Sequence, residues 1–259
     1  HIDGALRKAI QDAEFHLAYQ PQIDLTTGRI VGMEALVRWN SPLLGPMPPE
    51  QFLPIAEDSG LILPLGEWIL SEACRQAREW LDAGILPGTL AVNISGVQVR
   101  RGDLVDVVHR VLQDSGLPSD KLELELTESF IMGESQNAIR ILQALRDLGV
   151  TLAVDDFGTG YSSLAYLKSL PIHLLKIDKS FIRDIPEDTN DMAITRAVIA
   201  LAKSLNLGLV GEGVETEIQR RFLLEEGCQF GQGFLFHRPL PAIEMQALLF
   251  AQQSVPAPH

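Results

Sequence analysis

Residues 150–181 read VTLAVDDFGTGYSSLAYLKSLPIHLLKIDKSF. Two short apolar runs, Thr151–Val154 and Leu174–Ile177, bracket a helical pattern at Ser162–Ser169. TLAV is apolar on both faces, as parallel strands covered on both sides are. A carboxylate pair, Asp155 and Asp156, closes the first run, and Lys176 sits within the second. The unit is therefore a short apolar strand, a polar or charged residue near its end, then an amphipathic helix.

The same unit recurs along all 259 residues. Further strands are expected at Leu17–Ile23, Ile30–Val37, Thr89–Ile94, Leu122–Leu126, Leu207–Val210 and Gln229–Gly233. Helical patterns fall at Leu65–Ala83, Val97–Asp114, Gln136–Leu148, Asp188–Leu205, Glu215–Glu226 and Ala242–Gln252, and the opening HIDGALRKAIQDAEF reads as another. Gly149 and Gly227 follow helices as C-caps should. Eight strands with intervening helices in one domain of this length predict an α/β fold, a TIM-like (β/α)8 barrel. Only LTTGR separates the first two strands, too little for a parallel crossover, so the first strand should be antiparallel. A doubly wound sheet is the alternative. The tail SVPAPH reads as frayed.

The chain carries 34 acidic and 21 basic residues, a formal charge of −13. That field repels DNA, RNA and anionic membranes, so no nucleic-acid polymer and no membrane contact by this domain is expected. No apolar run approaches the length of a transmembrane helix, and no signal peptide opens the chain, which points to the cytoplasm. Cys74 and Cys228 lie far apart in apolar contexts and read as buried free thiols.

In such barrels chemistry gathers at the C-terminal ends of the strands. Glu34 interrupts the second strand, Asn93 ends the third, and Glu123 and Glu125 share one face of the fourth, with Glu128 beyond. The fifth brings Asp155 and Asp156, the sixth Lys176, the seventh Glu212 and Glu215, and the eighth Gln232. Crowded carboxylates repel one another and rise in pKa unless cations neutralise them. Oxygen donors without cysteine or histidine select hard cations such as Mg²⁺ or Mn²⁺. Adjacent Asp155 and Asp156 suit two metals, the arrangement that serves phosphoester cleavage. A metal-assisted enolising barrel also uses acidic strand ends with a lysine, and it stays open on these residues. Asp156-Phe157-Gly158 spells the kinase magnesium motif, but the other kinase motifs are missing. GTGYSS lacks the Lys-Ser/Thr end of a P-loop and fits better as a loop clamping over the metals.

These residues also carry a resemblance. EALVR (Glu34–Arg38), YQPQ (Tyr19–Gln22), VNIS, ELTES, DDFGTGYSSL, LKIDKSF, GEGVET and QGFLFHRPL match the EAL domain in its motif order from about Leu6 to Leu249. The chain resembles this cyclic di-GMP phosphodiesterase module of bacterial signalling proteins. The resemblance implies one metal held by Glu34, Asn93, Glu125 and Asp155, and a second by Asp155, Asp156 and Glu212. It implies that Lys176 orients or helps deprotonate the attacking water, with Glu212 beside it. Gln20 and Arg38 would contact substrate, Arg38 at a phosphate, and Gln232 would lie near the water and lysine. Glu128 and Glu215 would support the site from behind, Glu128 by tying down the loop Asp156–Ser163. The product would be linear pGpG, the assembly a homodimer joined through elements after the fifth strand, and the parent a longer protein with sensor, PAS or GGDEF domains. A receptor that binds cyclic di-GMP without cleaving it is the alternative. Two positions depart from the family pattern: Gly211, where alanine is common, and His237, where a small residue is common.

Overall fold

The structure, a computed structural model, describes residues 2–132, 136–160 and 164–254. Ten strands form one sheet: β1 Phe15–Asp24, β2 Ile30–Ser41, β3 Gly45–Met47, β4 Thr89–Asn93, β5 Leu122–Thr127, β6 Thr151–Phe157, β7 Leu174–Ile177, β8 Gly208–Gly211, β9 Phe230–Gly231 and β10 Leu240–Pro241. Eight of them close a barrel. β1 pairs antiparallel with both β2 and β9, while β2, β4, β5, β6, β7, β8 and β9 follow one another in parallel. The expected TIM-like barrel with an antiparallel first strand is therefore present, and all eight expected strands lie in its wall. β3 and β10 extend the rim outside it.

Two-sided burial explains the near-continuous apolar strands. Leu122, Leu124 and Leu126 of β5 are buried, and so are Glu123 and Glu125 between them. With side chains alternating, the leucines take one face and the glutamates the other. Helix Ile62–Asp82 buries Leu65, Ile69, Leu70, Ala73, Ala77 and Trp80, the three-to-four spacing of one stripe. Small residues sit in register beside the long acidic ones: Ala91 opposite Glu34 and Ala153 opposite Glu125. The barrel interior thus has room for charged side chains.

Local signals account for the boundaries that differ from expectation. The segment expected as one helix, Val97–Asp114, is two, Gly96–Arg101 and Leu104–Ser115, broken where Gly102 takes φ 90°. Glu215 lies before its expected helix, which starts at Glu217 behind a Thr216–Gln219 capping box. Helix Pro49–Asp58 lies outside the expected helical patterns. Pro49 stands in its first turn, where no N–H is needed. The opening helix ends at Gln11, and Gly149 and Gly227 are left-handed as expected of C-caps. The start of the Ser162–Ser169 helix and residues 255–259 lie outside the described residues. Both cysteines are buried and free. No helix among the described residues is long and apolar enough to cross a membrane.

Candidate active site

Lys176 is the centre of the site. Its side chain is fully buried, and its Nζ lies 3.1 Å from Glu34 Oε2, 2.8 Å from Glu125 Oε2, 2.9 Å from Glu212 Oε1 and 3.9 Å from Asp155 Oδ1. Burial alone would lower the ammonium, but Glu125, Glu212, Glu34 and Asp155 hold it well above the ordinary lysine range. The lysine is a fixed cation. Four strands of the parallel wall, β2, β5, β6 and β7, and the residue after β8 supply the group.

The acids around it are not alike. Burial would raise Glu34, yet Lys176 and hydrogen bonds from Gln232 and Asn93 bring its carboxyl below the usual range. Asn93 Nδ2 donates to Glu34 Oε1 at 2.6 Å, and Gln232 Nε2 donates to Glu34 Oε2 at 2.8 Å. Burial and the neighbouring Glu34 push Glu125 well up, although Lys176 opposes them. Its Oε1 is a buried acceptor without a hydrogen-bond partner. Burial pushes Glu212 up to about 8, and burial with Asp155 and Asp178 nearby pushes Asp156 up to about 7. One ammonium cannot neutralise five carboxylates.

Adjacent strand residues normally face opposite ways. The ladder between β6 and β7 shifts register between Val154 and Phe157, and Asp156 takes φ 53°. This bulge turns both aspartates to one side. Oxygens of Asp155, Asp156 and Glu212 lie within 4.8 Å of one another, a set that could hold a metal ion. Asp156 N donates to Asp155 Oδ1 at 2.8 Å, which fixes the turn. Asp156→Asn should keep the fold, since asparagine tolerates the left-handed region. Asp156→Ala should cost about 1 kcal/mol of stability as well. Both should weaken Mn²⁺ binding, read by calorimetry beside Tm.

The raised acids set a pH dependence. A carboxyl whose folded pKa exceeds its unfolded value keeps its proton in the folded state across the interval between them. The folded state then binds more protons, and stability falls as pH rises through that interval. For Glu212 and Asp156 the window runs from about 4 to about 8. Metal-free protein should lose Tm as pH rises from 5 to 8, and Mg²⁺ or Mn²⁺ should restore it, increasingly so at higher pH. A metal-free Tm that climbs across this range would contradict the assignment.

Glu128 is fully buried, and its Oε2 accepts from the amides of Gly158 at 2.8 Å and Gly160 at 3.1 Å. The expected tie to the loop after β6 is present for Gly158–Gly160, while Tyr161–Ser163 lie outside the described residues. Gln20 joins the cluster through Gln232, whose Nε2 donates to Gln20 Oε1 at 2.9 Å. Arg38 lines a largely apolar cavity of about 270 Å³ that also touches Asn93 and Glu125. Glu215 is exposed and stands apart, since among the described residues no contact carries its carboxylate to the cluster. Two further acids belong here. Asp178 lies close enough to Asp156 to help raise it, and the LKID run signals it as a second polar residue two positions after Lys176. Glu123 lies buried one layer below Glu125, accepting from Thr89 Oγ1 at 3.3 Å.

The EAL domain family model matches residues 3–239. The chain belongs to the EAL domain family. This EAL chain is 48% identical over 242 residues to the bifunctional diguanylate cyclase/cyclic di-GMP phosphodiesterase MucR of Pseudomonas aeruginosa, covering 93% of the chain and 35% of the relative. It is 46% identical over 257 residues to the cyclic di-GMP phosphodiesterase NbdA of the same organism, covering 99% of the chain and 33% of the relative. The chain therefore spans about a third of the length of these relatives. Among solved structures, the PaMucR phosphodiesterase in complex with c-di-GMP superposes with a TM-score of 0.91 at 47% identity, covering 94% of this chain and 99% of that one. An EAL domain's fold and its acidic strand ends are thus both present here.

Proposed function

We propose that this EAL domain hydrolyses one phosphodiester of cyclic di-GMP to linear pGpG, using Mg²⁺ or Mn²⁺ in a two-metal site. The observation that carries the reading is the convergence of Glu34, Glu125, Asp155 and Glu212 on buried Lys176, with Asp156 turned into the same group. The donors are all hard oxygens, and the acids exceed the one cation that faces them, so the residues present fit divalent ions. Asp155, Asp156 and Glu212 would hold one ion, and Glu34, Asn93, Glu125 and Asp155 the other. Such ions supply Lewis acidity at the phosphoryl oxygens and lower the pKa of bound water.

The chain's own groups do the rest. Lys176 is held as an ammonium, so it orients the attacking water and faces developing negative charge. The proton of that water would pass to Glu212, whose carboxylate lies 2.9 Å from Lys176 Nζ. Water oxygen bonds to phosphorus as its proton passes to Glu212, the bond from phosphorus to O3′ breaks, and the departing O3′ takes a proton from solvent. Arg38 meets a phosphate of the dinucleotide with its guanidinium. Gln20 and Gln232 keep Glu34 oriented toward the lysine and border the substrate. Glu128 anchors the loop after β6. Glu215, exposed as it is, would support the site only at its edge.

The same reading makes the chain one cytoplasmic module of a longer signalling protein, beside sensor, PAS or GGDEF modules. It would work as a homodimer joined through elements after β6. The test is incubation with cyclic di-GMP and Mg²⁺ or Mn²⁺, followed by nucleotide chromatography. Appearance of pGpG supports hydrolysis, whereas tight binding without pGpG would make the domain a receptor.

A further inference from the structure

The barrel end opposite the carboxylate cluster carries a second cavity, of about 470 Å³. Its walls come from residues that precede strands: the end of helix Gln136–Asp147 before β6, the segment reaching His173 before β7, and the segment around Asn206 before β8. The Lys176 cluster stands at the far ends of these same strands, so the two sites share no residue.

The charge of this cavity runs against that of the chain. Acids outnumber bases overall, yet no acid lines it among the described residues, whereas Arg146, Lys168 and His173 all do. Neither Arg146 nor Lys168 forms an ion pair among the described residues. Both fall in the last turns of their helices, where cations complement exposed carbonyls. That accounts for two of the three. It does not account for the imidazole.

His173 is built into the cavity wall. Its Nδ1 accepts from Leu152 N at 3.0 Å, its backbone N donates to Leu152 O at 2.9 Å, and its carbonyl accepts from Gly208 N at 2.9 Å. Burial and the guanidinium of Arg146 lower its pKa, so the ring is uncharged at neutral pH. With Nδ1 accepting, the ring proton sits on Nε2, a fixed donor that has no partner among the described residues. Asn206 adds a side-chain amide on a left-handed residue of φ 55°, and buried Leu170 and Ile172 supply an apolar wall. Two cations and a neutral N–H donor match a dianion with three terminal oxygens better than a carboxylate, which offers one charge and two oxygens. The volume is that of a small-ligand site.

We propose that this cavity binds a small phosphomonoester, with Arg146 and Lys168 on the phosphate oxygens, His173 donating from Nε2 to one of them, and Leu170 and Ile172 bordering the organic part. The site stands independently of the cyclic di-GMP reading, since it uses none of the residues around Lys176.

Calorimetric titration of the EDTA-treated full chain with GMP tests it, with guanosine as the matched ligand lacking phosphate. Removing metal keeps ion-bridged phosphate binding at the carboxylate cluster out of the measurement. GMP should bind, raising Tm, and guanosine should not. Arg146→Ala and Lys168→Ala should each weaken GMP binding about tenfold, the worth of one charge-assisted hydrogen bond, with ligand-free Tm close to the parent. Arg38→Ala should bind GMP as the parent does. The His173 imidazole resonance, assigned by its loss in His173→Gln, should shift when GMP is added. No binding by the parent, equal binding of guanosine, or full GMP affinity in Arg146→Ala overturns the proposal. So does a loss of affinity in Arg38→Ala with an unmoved His173 resonance, which would place GMP in the cavity beside Arg38.

Discussion

Glu34→Ala should lower turnover of cyclic di-GMP by roughly three orders of magnitude, because Lewis-acid stabilisation is worth several kcal/mol and each 1.36 kcal/mol is tenfold. Three side chains depend on this carboxylate. Its Oε1 accepts from Asn93, and its Oε2 accepts from Lys176 and Gln232. Alanine would remove a proposed metal ligand and release Asn93, Gln232 and, through Gln232, Gln20 in one step. Glu34→Gln separates the effects, since it keeps the volume and loses the charge. It should fold like the parent, bind Mn²⁺ more weakly and remain nearly inactive. Activity near the parent level in Glu34→Ala would remove Glu34 from the metal site.

Lys176→Ala should lower kcat by roughly 10² to 10⁴-fold while substrate affinity stays close to that of the parent. The lysine faces carboxylates in the barrel interior and does not line the cavity beside Arg38. Stability should respond as well. Taking one partner from a buried ion group leaves the others uncompensated, at about 3–5 kcal/mol. Glu34, Glu125 and Glu212 all lean on this ammonium. The loss should be largest without metal and recover on adding Mg²⁺, since divalent ions supply the missing positive charge. Lys176→Met, which keeps the aliphatic volume, should show the same metal-dependent Tm. A variant that keeps its rate and loses only affinity would contradict the role given to Lys176.

Sequence and structure agree most closely where the physics is periodic. Strands such as TLAV and LGLV announce two-sided burial by composition alone, and LTTGR is too short for anything but a hairpin, so the barrel and its reversed first strand were legible. Polar residues at successive strand ends likewise named Glu34, Asn93, Glu125, Asp155, Lys176, Glu212 and Gln232. What periodicity could not show is how neighbours face. Alternation would send Asp155 and Asp156 to opposite sides, and only the shifted ladder and the left-handed Asp156 bring them together. Asp178 is visible as a polar residue in LKID, but its closeness to Asp156 of the neighbouring β6 is not given by sequence order. Helix Pro49–Asp58 carries Pro49 in a first turn that accommodates it and Pro54 in its interior, so its sequence gives a weak helical signal. Gly102 ended a helix that hydropathy alone would continue. Glu215 shows the opposite limit, since a motif position gives no sign that its side chain is exposed.

The net charge of −13 acquires a local meaning in this arrangement. Most acids pair with surface arginines and lysines or face solvent. Those around Lys176 are different, because burial raises several of them and only positive charge can settle them as carboxylates. A cyclic dinucleotide dianion can approach such a cluster once cations reverse the local field.

The most direct measurement strips the protein with EDTA, then titrates Mn²⁺ while following bound Mn²⁺ by electron paramagnetic resonance and pGpG by chromatography. The carboxylate cluster predicts no product in the stripped protein and product formation that rises in step with Mn²⁺ occupancy. Cleavage by the stripped protein, or Mn²⁺-saturated protein that binds cyclic di-GMP and yields no pGpG, would contradict the account.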